Sequence, residues 1–200
     1  PCSHPGCNNL ALSGTEYCIE HVPDQKAVIR ELKNLLSQRD IIRDMNLSGL
    51  TLTDFDFSGK TIIDGKFSYS TISGGNFQHT RIRFCFFDFC TFTDTDFTET
   101  DIMSSVFAGS HFENTTFEGS DILHTNFNGM YGKNVIFSGS NLYSSRYISA
   151  EFHDVKFQDC NLKKVFFNNS IQDEVTMKYS NHEEAYFHDL RTFQEDRDVQ

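Results

Sequence analysis

One period constrains this chain more than any other property it has. Stepping by five from Leu47 gives Leu47, Leu52, Phe57, Ile62, Phe67, Ile72, Phe77, Ile82, Phe87 and so on to Phe187, with no insertion or deletion. Of these 29 positions, 15 are Phe and 9 are Ile or Leu, so one position in five is reserved for large apolar side chains. Two residues before each, the side chain is small. From Gly65 to Ala185 all 25 such positions except Met130 hold Gly, Ala, Ser, Thr, Cys or Val. A period of five is neither the helical repeat nor the strand alternation. Residues two apart on an extended backbone share a face, so the large residue and the small one before it point inward together. The other three positions, mostly Asn, Asp, Ser, Thr and Gly, supply an outer wall and a turn. Repeating that unit coils the chain into a solenoid.

Coil length follows from sorting the large residues. At a spacing of 20, one row reads Ile62, Ile82, Ile102, Ile122, Leu142 and Leu162, and another reads Phe57, Phe77, Phe97, Phe117, Phe137 and Phe157. At a spacing of 15 every row mixes Phe with Ile. Like residues stacked on like are what a packed ladder requires. The spacing therefore predicts an all-β solenoid with four sides of five residues each, about seven coils and roughly 35 Å long at ~4.8 Å per coil. Met130 is too large for its inward slot and Gly132 too small for the next, so the methionine is expected to fill the space the glycine leaves.

Units such as "NVIFSGS", "NTTFEGS" and "DTDFTET" resemble those of the pentapeptide-repeat proteins, and the resemblance covers residues 46–190. It implies a right-handed quadrilateral β-helix. For function it implies less. The best-known members of that family inhibit or protect DNA gyrase by imitating DNA, so a DNA-mimicking topoisomerase inhibitor or protector is one reading that the resemblance brings.

The outward residues suggest another. In "RIRFCFFDFC", residues 81–90, Phe87, Cys85 and Cys90 point inward while Phe84, Phe86 and Phe89 point outward. Neighbouring coils place Tyr69, Met103 and Val106 beside them. Contiguous exposed aromatics mark interfaces, so these six residues are expected to meet a protein partner or a second copy of the chain. The other two sides carry twelve outward acids, among them Asp94, Asp96, Glu99, Glu113, Glu118, Glu151 and Asp154, against the bases Lys133, Lys156 and Lys178. A net charge of -11 argues against direct binding to a nucleic-acid backbone. No run of about 18 apolar residues is present, so no membrane-spanning helix is expected. The first residues show no basic start and no apolar stretch of a signal peptide, which points to the cytoplasm.

Residues 1–22 break the repeat. Cys2, Cys7, Cys18 and His21 form C-x4-C-x10-C-x2-H, the donor set that tetrahedral zinc takes from a chain too short to build a core. The segment resembles small treble-clef or knuckle-type zinc modules. His4 is the rival ligand; the compact Cys18-x2-His21 pair favours His21. With all four positions filled by protein, the zinc is expected to be structural. Residues 24–38 read as a helix, with Val28, Leu32, Leu35 and Leu36 on one face and Asp24 as N-cap. It is expected to cover the open first coil over Met45, Leu47 and Leu50, because a bare strand edge invites aggregation. The organisation is thus a zinc segment at 1–22, a helical cap at 23–45, the β-helix at 46–190 and a tail at 191–200.

No phosphate loop, nucleophilic triad or open metal site is readable, and a convex rod offers no pocket to exclude water. The outward ladders Glu113–Lys133–His153 and His111–Tyr131–Glu151 read as charge pairing across strands. The sequence therefore points to a non-enzymatic interaction module with a structural zinc. The topoisomerase-directed DNA mimic is the alternative.

Overall fold

In the computed structural model, which describes residues 1–188, each five-residue unit is a short extended piece closed by a sharp corner. Thr61–Ile63 shows the pattern, with its central Ile62 buried and its two neighbours partly exposed. The corner residue that follows has positive φ in most units, as at Asp64 (φ 55), Asp94 (φ 50) and Asn114 (φ 50). Left-handed backbone at one position turns the chain so that the next small and large residues face inward on the next side. Asp, Asn and Gly tolerate that conformation best.

Coils stack with a shift of 20 residues. On one side the parallel strands Ile41–Arg43, Thr61–Ile63, Arg81–Arg83, Asp101–Met103 and Asp121–Leu123 form one ladder, with Ile62 opposite Ile82 and Ile82 opposite Ile102. A seven-stranded ladder runs from Thr51–Thr53 to Ile171–Thr176. The remaining sides are joined coil to coil by single bridges, such as Lys66 to Phe86 to Val106 and Asp56 to Asn76 to Asp96. The result is a parallel β-solenoid of about seven turns. Its ladder already includes Ile41–Arg43, with Ile42 buried one unit before Leu47.

The interior is a set of aromatic columns. Phe87 stacks on Phe107 at 4.7 Å and Phe137 on Phe157 at 4.9 Å, while Phe107 meets Phe117 of the adjacent side edge to face at 6.4 Å. Such offset and perpendicular pairs are the favoured aromatic arrangements. The small inward residues hold the backbone of the coil before. Ser110 Oγ donates to the Phe87 carbonyl at 2.6 Å, Ser120 Oγ to Phe97 at 2.8 Å and Ser140 Oγ to Phe117 at 2.7 Å. Cys90 and Cys160 make the same contact with Phe67 and Phe137. Burial pushes the Cys85, Cys90 and Cys160 thiols up to about 11, 12 and 11, so they are inert core groups. Met130 lies with Cε 3.1 Å from the point where a Gly132 Cβ would stand, filling the gap in that column.

The two ends differ. At the first coil the helix Gln25–Gln38 buries Val28, Leu32 and Leu36, with Leu35 partly buried, and joins the same apolar core as Met45, Leu47 and Leu50. Asp24 Oδ1 accepts from the Ala27 N–H at 3.0 Å, capping the helix. At the last coil Gln172 stands in an inward position yet is exposed, and Ile171 and Phe187 are 58% and 40% exposed. The last residues of the repeat segment, 189–190, and the tail 191–200 lie outside the described residues. Among those described, no helix is long and apolar enough to cross a membrane.

Candidate functional site

Two places on this frame carry more than packing requires. The first is the aromatic face. Phe84, Phe86, Phe89 and Tyr69 are 52%, 45%, 54% and 67% exposed, and Met103 and Val106 are half-buried beside them. The solenoid brings the six together because they lie on two adjacent sides and their corners in successive coils: Met103 ends the strand Asp101–Met103, and Phe86 and Val106 belong to the next side. Phe86 bridges directly to Val106, and the Tyr69 and Phe89 rings stack at 5.2 Å. Phe89 also lies over Gly109, whose missing Cβ would stand 2.6 Å from the ring. The N-terminal segment does not cover this face. Phe84, Phe89 and Tyr69 occupy corners with φ of 54, 54 and 63.

The acidic residues stand on the opposite two sides, and many are partnered. Asp94 accepts from Asn114 at 3.0 Å, Asp96 from the Thr98 N–H at 2.8 Å, and Glu99 faces His79 at 3.1 Å. Glu113 meets Lys133 at 3.5 Å. Glu151 contacts His153 at 2.8 Å, and the other ring nitrogen of His153 meets Asp173 at 3.2 Å. Glu118 and Asp154 are exposed.

The second place is the N-terminal cluster. The Sγ atoms of Cys2, Cys7 and Cys18 and a ring nitrogen of His21 all lie within 4.8 Å of one another. The Cys7–Cys18 separation is 3.8 Å, Cys2–His21 is 3.6 Å and Cys18–His21 is 3.3 Å. A tetrahedron with zinc–sulfur bonds of ~2.3 Å has edges of about 3.8 Å, so the donor set fits zinc in type and in size. Local turns build it. The Cys7 N–H donates to the His4 carbonyl across a turn in which Gly6 has φ 78, and the His21 and Val22 N–H groups both donate to the Cys18 carbonyl. The Cys18–His21 pair therefore sits in a turn, and the helix begins only at Gln25. His4 stacks flat on the His21 ring at 3.8 Å. Burial pushes the Cys18 thiol up, but hydrogen bonds from the Glu20 backbone, His21 and the other two cysteines outweigh it and bring it down to about 6. A depressed thiol is what a metal ligand needs.

Two features were not read from the sequence. Asn46 clamps the N-terminal segment to the first coil: its Nδ2 donates to the Ala11 carbonyl at 2.8 Å, and its backbone exchanges hydrogen bonds with Ser13 at 2.8 and 2.9 Å. Nothing in its sequence context marks it out. Arg146 and Lys164 line a groove beside the aromatic face. Their positions were in the 20-residue spacing, but the groove depends on which side chains between them are short.

The family description "Pentapeptide repeats" matches residues 110–146, in eight copies. Among curated proteins none matches the sequence. Among solved structures the chain is similar to HetL, a pentapeptide repeat protein involved in heterocyst differentiation regulation from the cyanobacterium Nostoc sp. strain PCC 7120, at 10% identity, covering 78% of this chain and 94% of that one, with a TM-score of 0.40. A pentapeptide repeat protein from the Arabidopsis thaliana thylakoid lumen is 26% identical over 54% of this chain and 68% of its own, with a TM-score of 0.40. QnrB1, a plasmid-mediated fluoroquinolone resistance protein, is 16% identical over 70% of this chain and 89% of its own, with a TM-score of 0.35. Overlaps this loose assign no function to this chain.

Proposed function

We propose that this chain, a β-solenoid of pentapeptide repeats, is a non-catalytic protein-interaction module of the cytoplasm whose working surface is Phe84, Phe86 and Phe89 with Tyr69, Met103 and Val106. The contiguity of that surface carries the reading. Four large rings, 45–67% exposed, stand together in neighbouring coils, and exposed aromatics gathered in one patch mark interfaces. The N-terminal cluster holds a structural zinc on Cys2, Cys7, Cys18 and His21, which stiffens the segment that Asn46 clamps to the first coil.

The test is affinity capture from the source cell by the wild type and by a Phe84→Asp, Phe86→Asp, Phe89→Asp variant whose fold is checked by circular dichroism. Proteins captured by the wild type and lost by the variant support the reading. An identical set from both sinks it.

A second reading has one observation in its favour. Asp94, Asp96, Glu99, Glu113 and Glu118 crowd two successive coils, on sides with few bases, as a DNA mimic acting on a topoisomerase would need. Against it, Glu99 and Glu113 already face His79 and Lys133. Micromolar protein that leaves gyrase supercoiling unchanged removes this reading.

A further inference from the structure

The outer ladder on the side that carries Phe86 runs Phe86, Val106, Asn126, Arg146, Phe166 and Tyr186, one residue per coil. Val106 and Asn126 are short, and they are flanked by Phe86 on one side and by Arg146, Phe166 and Tyr186 on the other. The adjoining corner runs Phe84, Ser104, His124, Ser144 and Lys164, with a short serine on either side of His124. Between the two ladders lies an open groove of about 510 Å³, lined by Val106, His124, Asn126, Arg146, Lys164 and Phe166 among others.

Two cations stand at its far wall. Among the described residues neither Arg146 nor Lys164 is in an ion pair, whereas Lys163 next door is held by Glu184 at 2.9 Å. Lys164 Nζ instead donates to the Tyr143 hydroxyl at 3.1 Å and lies 5.5 Å from that ring's centroid. That contact holds the ammonium at the groove without neutralising it. Beyond the cations, Phe166 and Tyr186 stack at 4.7 Å, a wall that reduces the solvent screening of charges beside it. A chain of net charge -11 thus presents, next to its aromatic face, a local charge of the opposite sign.

We propose that this groove docks an acidic segment of a partner protein, with an apolar side chain of the segment on Phe84 and Phe86 and its carboxylates on Arg146 and Lys164. The inference rests on the interaction-face reading above and says what kind of partner that face takes. Arg146 suits a carboxylate through paired N–H donors, and Lys164 adds a point charge. Phe86 and Arg146 are three coils apart, roughly 14 Å at ~4.8 Å per coil, which an extended segment spans in about four residues. Nucleic acid is the poorer fit, because a phosphate backbone calls for a row of cations and the rest of this chain repels it.

The experiment is a selection of random 12-residue peptides on the immobilised full chain, run in parallel on an Arg146→Glu, Lys164→Glu variant. Both substitutions lie on exposed positions, and the variant's fold is checked by circular dichroism. Peptides bound by the wild type and lost by the variant are expected to be enriched at least about threefold in Asp and Glu, with an aromatic or aliphatic residue roughly four positions away, and to weaken about tenfold on charge reversal. If the variant loses no peptides, or loses peptides that are not acidic, the inference is overturned. A wild-type dimer that the charge reversal dissolves, read by analytical ultracentrifugation, also overturns it, because the occupant is then a second copy. The two readings fail separately. If capture is lost in the Phe84, Phe86 and Phe89 variant but kept in the charge-reversed one, the aromatic face stands and the acidic partner does not.

Discussion

Tyr147 carries the single hydroxyl in an inward row whose neighbours Phe127 and Phe167 stack on its ring at 4.9 and 5.3 Å. It is fully buried, and among the described residues its hydroxyl has no hydrogen-bond partner. Burial holds its ionisation well above the ordinary tyrosine value. A buried polar group without a partner costs about 1–3 kcal/mol, so Tyr147→Phe should raise stability by about 1–2 kcal/mol. Urea denaturation checks this, and a lowered midpoint would mean that the hydroxyl is satisfied in solution. The corner at Phe84 makes the complementary case on the surface. Asn enters left-handed backbone far more readily than Phe, which offsets much of the burial lost from a ring that is 52% exposed, so Phe84→Asn should change stability by no more than about 1–2 kcal/mol. Partner capture should fall in the same variant. A loss well beyond that, with capture unchanged, would show that the ring serves packing and would count against the interaction face.

Single coils show where the repeat bends its own rules. Met130 fills the gap over Gly132, so neither residue can change alone without cost. Met130→Ala should destabilise by about 2–4 kcal/mol through the cavity it opens, and Gly132→Leu by about 1–3 kcal/mol through overpacking. The double variant should recover at least about 1 kcal/mol of their sum. Strict additivity in the denaturation midpoints would refute the pairing. This exchange was legible in the sequence because both residues break a rule that every neighbouring unit obeys. The His153 rung was legible only in part. Glu113, Lys133 and His153 do share a ladder, but His153 is held by Glu151 on its own strand and by Asp173 on the next. Those two hydrogen bonds, Glu151 first, raise its ionisation above the ordinary 6.5. A raised folded value means that protonated His153 contributes its full stabilisation below the ordinary value and loses it as pH climbs through the raised one. The melting-temperature gap between the wild type and His153→Gln should therefore be widest below the ordinary value of about 6.5 and narrow as pH rises above it. A gap that does not move with pH would show that the rung is held by packing rather than by charge.

At the scale of the whole molecule, the rows of like residues at spacing 20 made the four-sided solenoid readable, because inward residues answer only to their own stack. The groove and the Asn46 clamp were not readable in the same way. They depend on which outward side chains are short, or find partners from a segment more than thirty residues away, and no period encodes that. The same asymmetry governs how the rod should come apart. Stability in a solenoid is close to a sum of unit and neighbour terms, so its ends open first. The first coil is covered by the helix and held by the Cys2, Cys7, Cys18 and His21 segment, while the last coil leaves Ile171 and Phe187 exposed. Zinc on the cluster should therefore act locally. Protein prepared with zinc should hold one equivalent per chain, and Cys18→Ser should not. Removing the metal with a chelator should strip hydrogen-exchange protection from the helix Gln25–Gln38 and from the first coil around Leu47. Amides of the central coils, around Phe87 to Phe137, should stay protected, and those of Ile171–Thr176 should exchange early with or without metal. If chelation instead melts every coil together, the rod is one cooperative unit and the cluster is its keystone. If chelation changes no amide at all, the cluster does not bind the first coil's stability to a metal, and the zinc assignment falls with it.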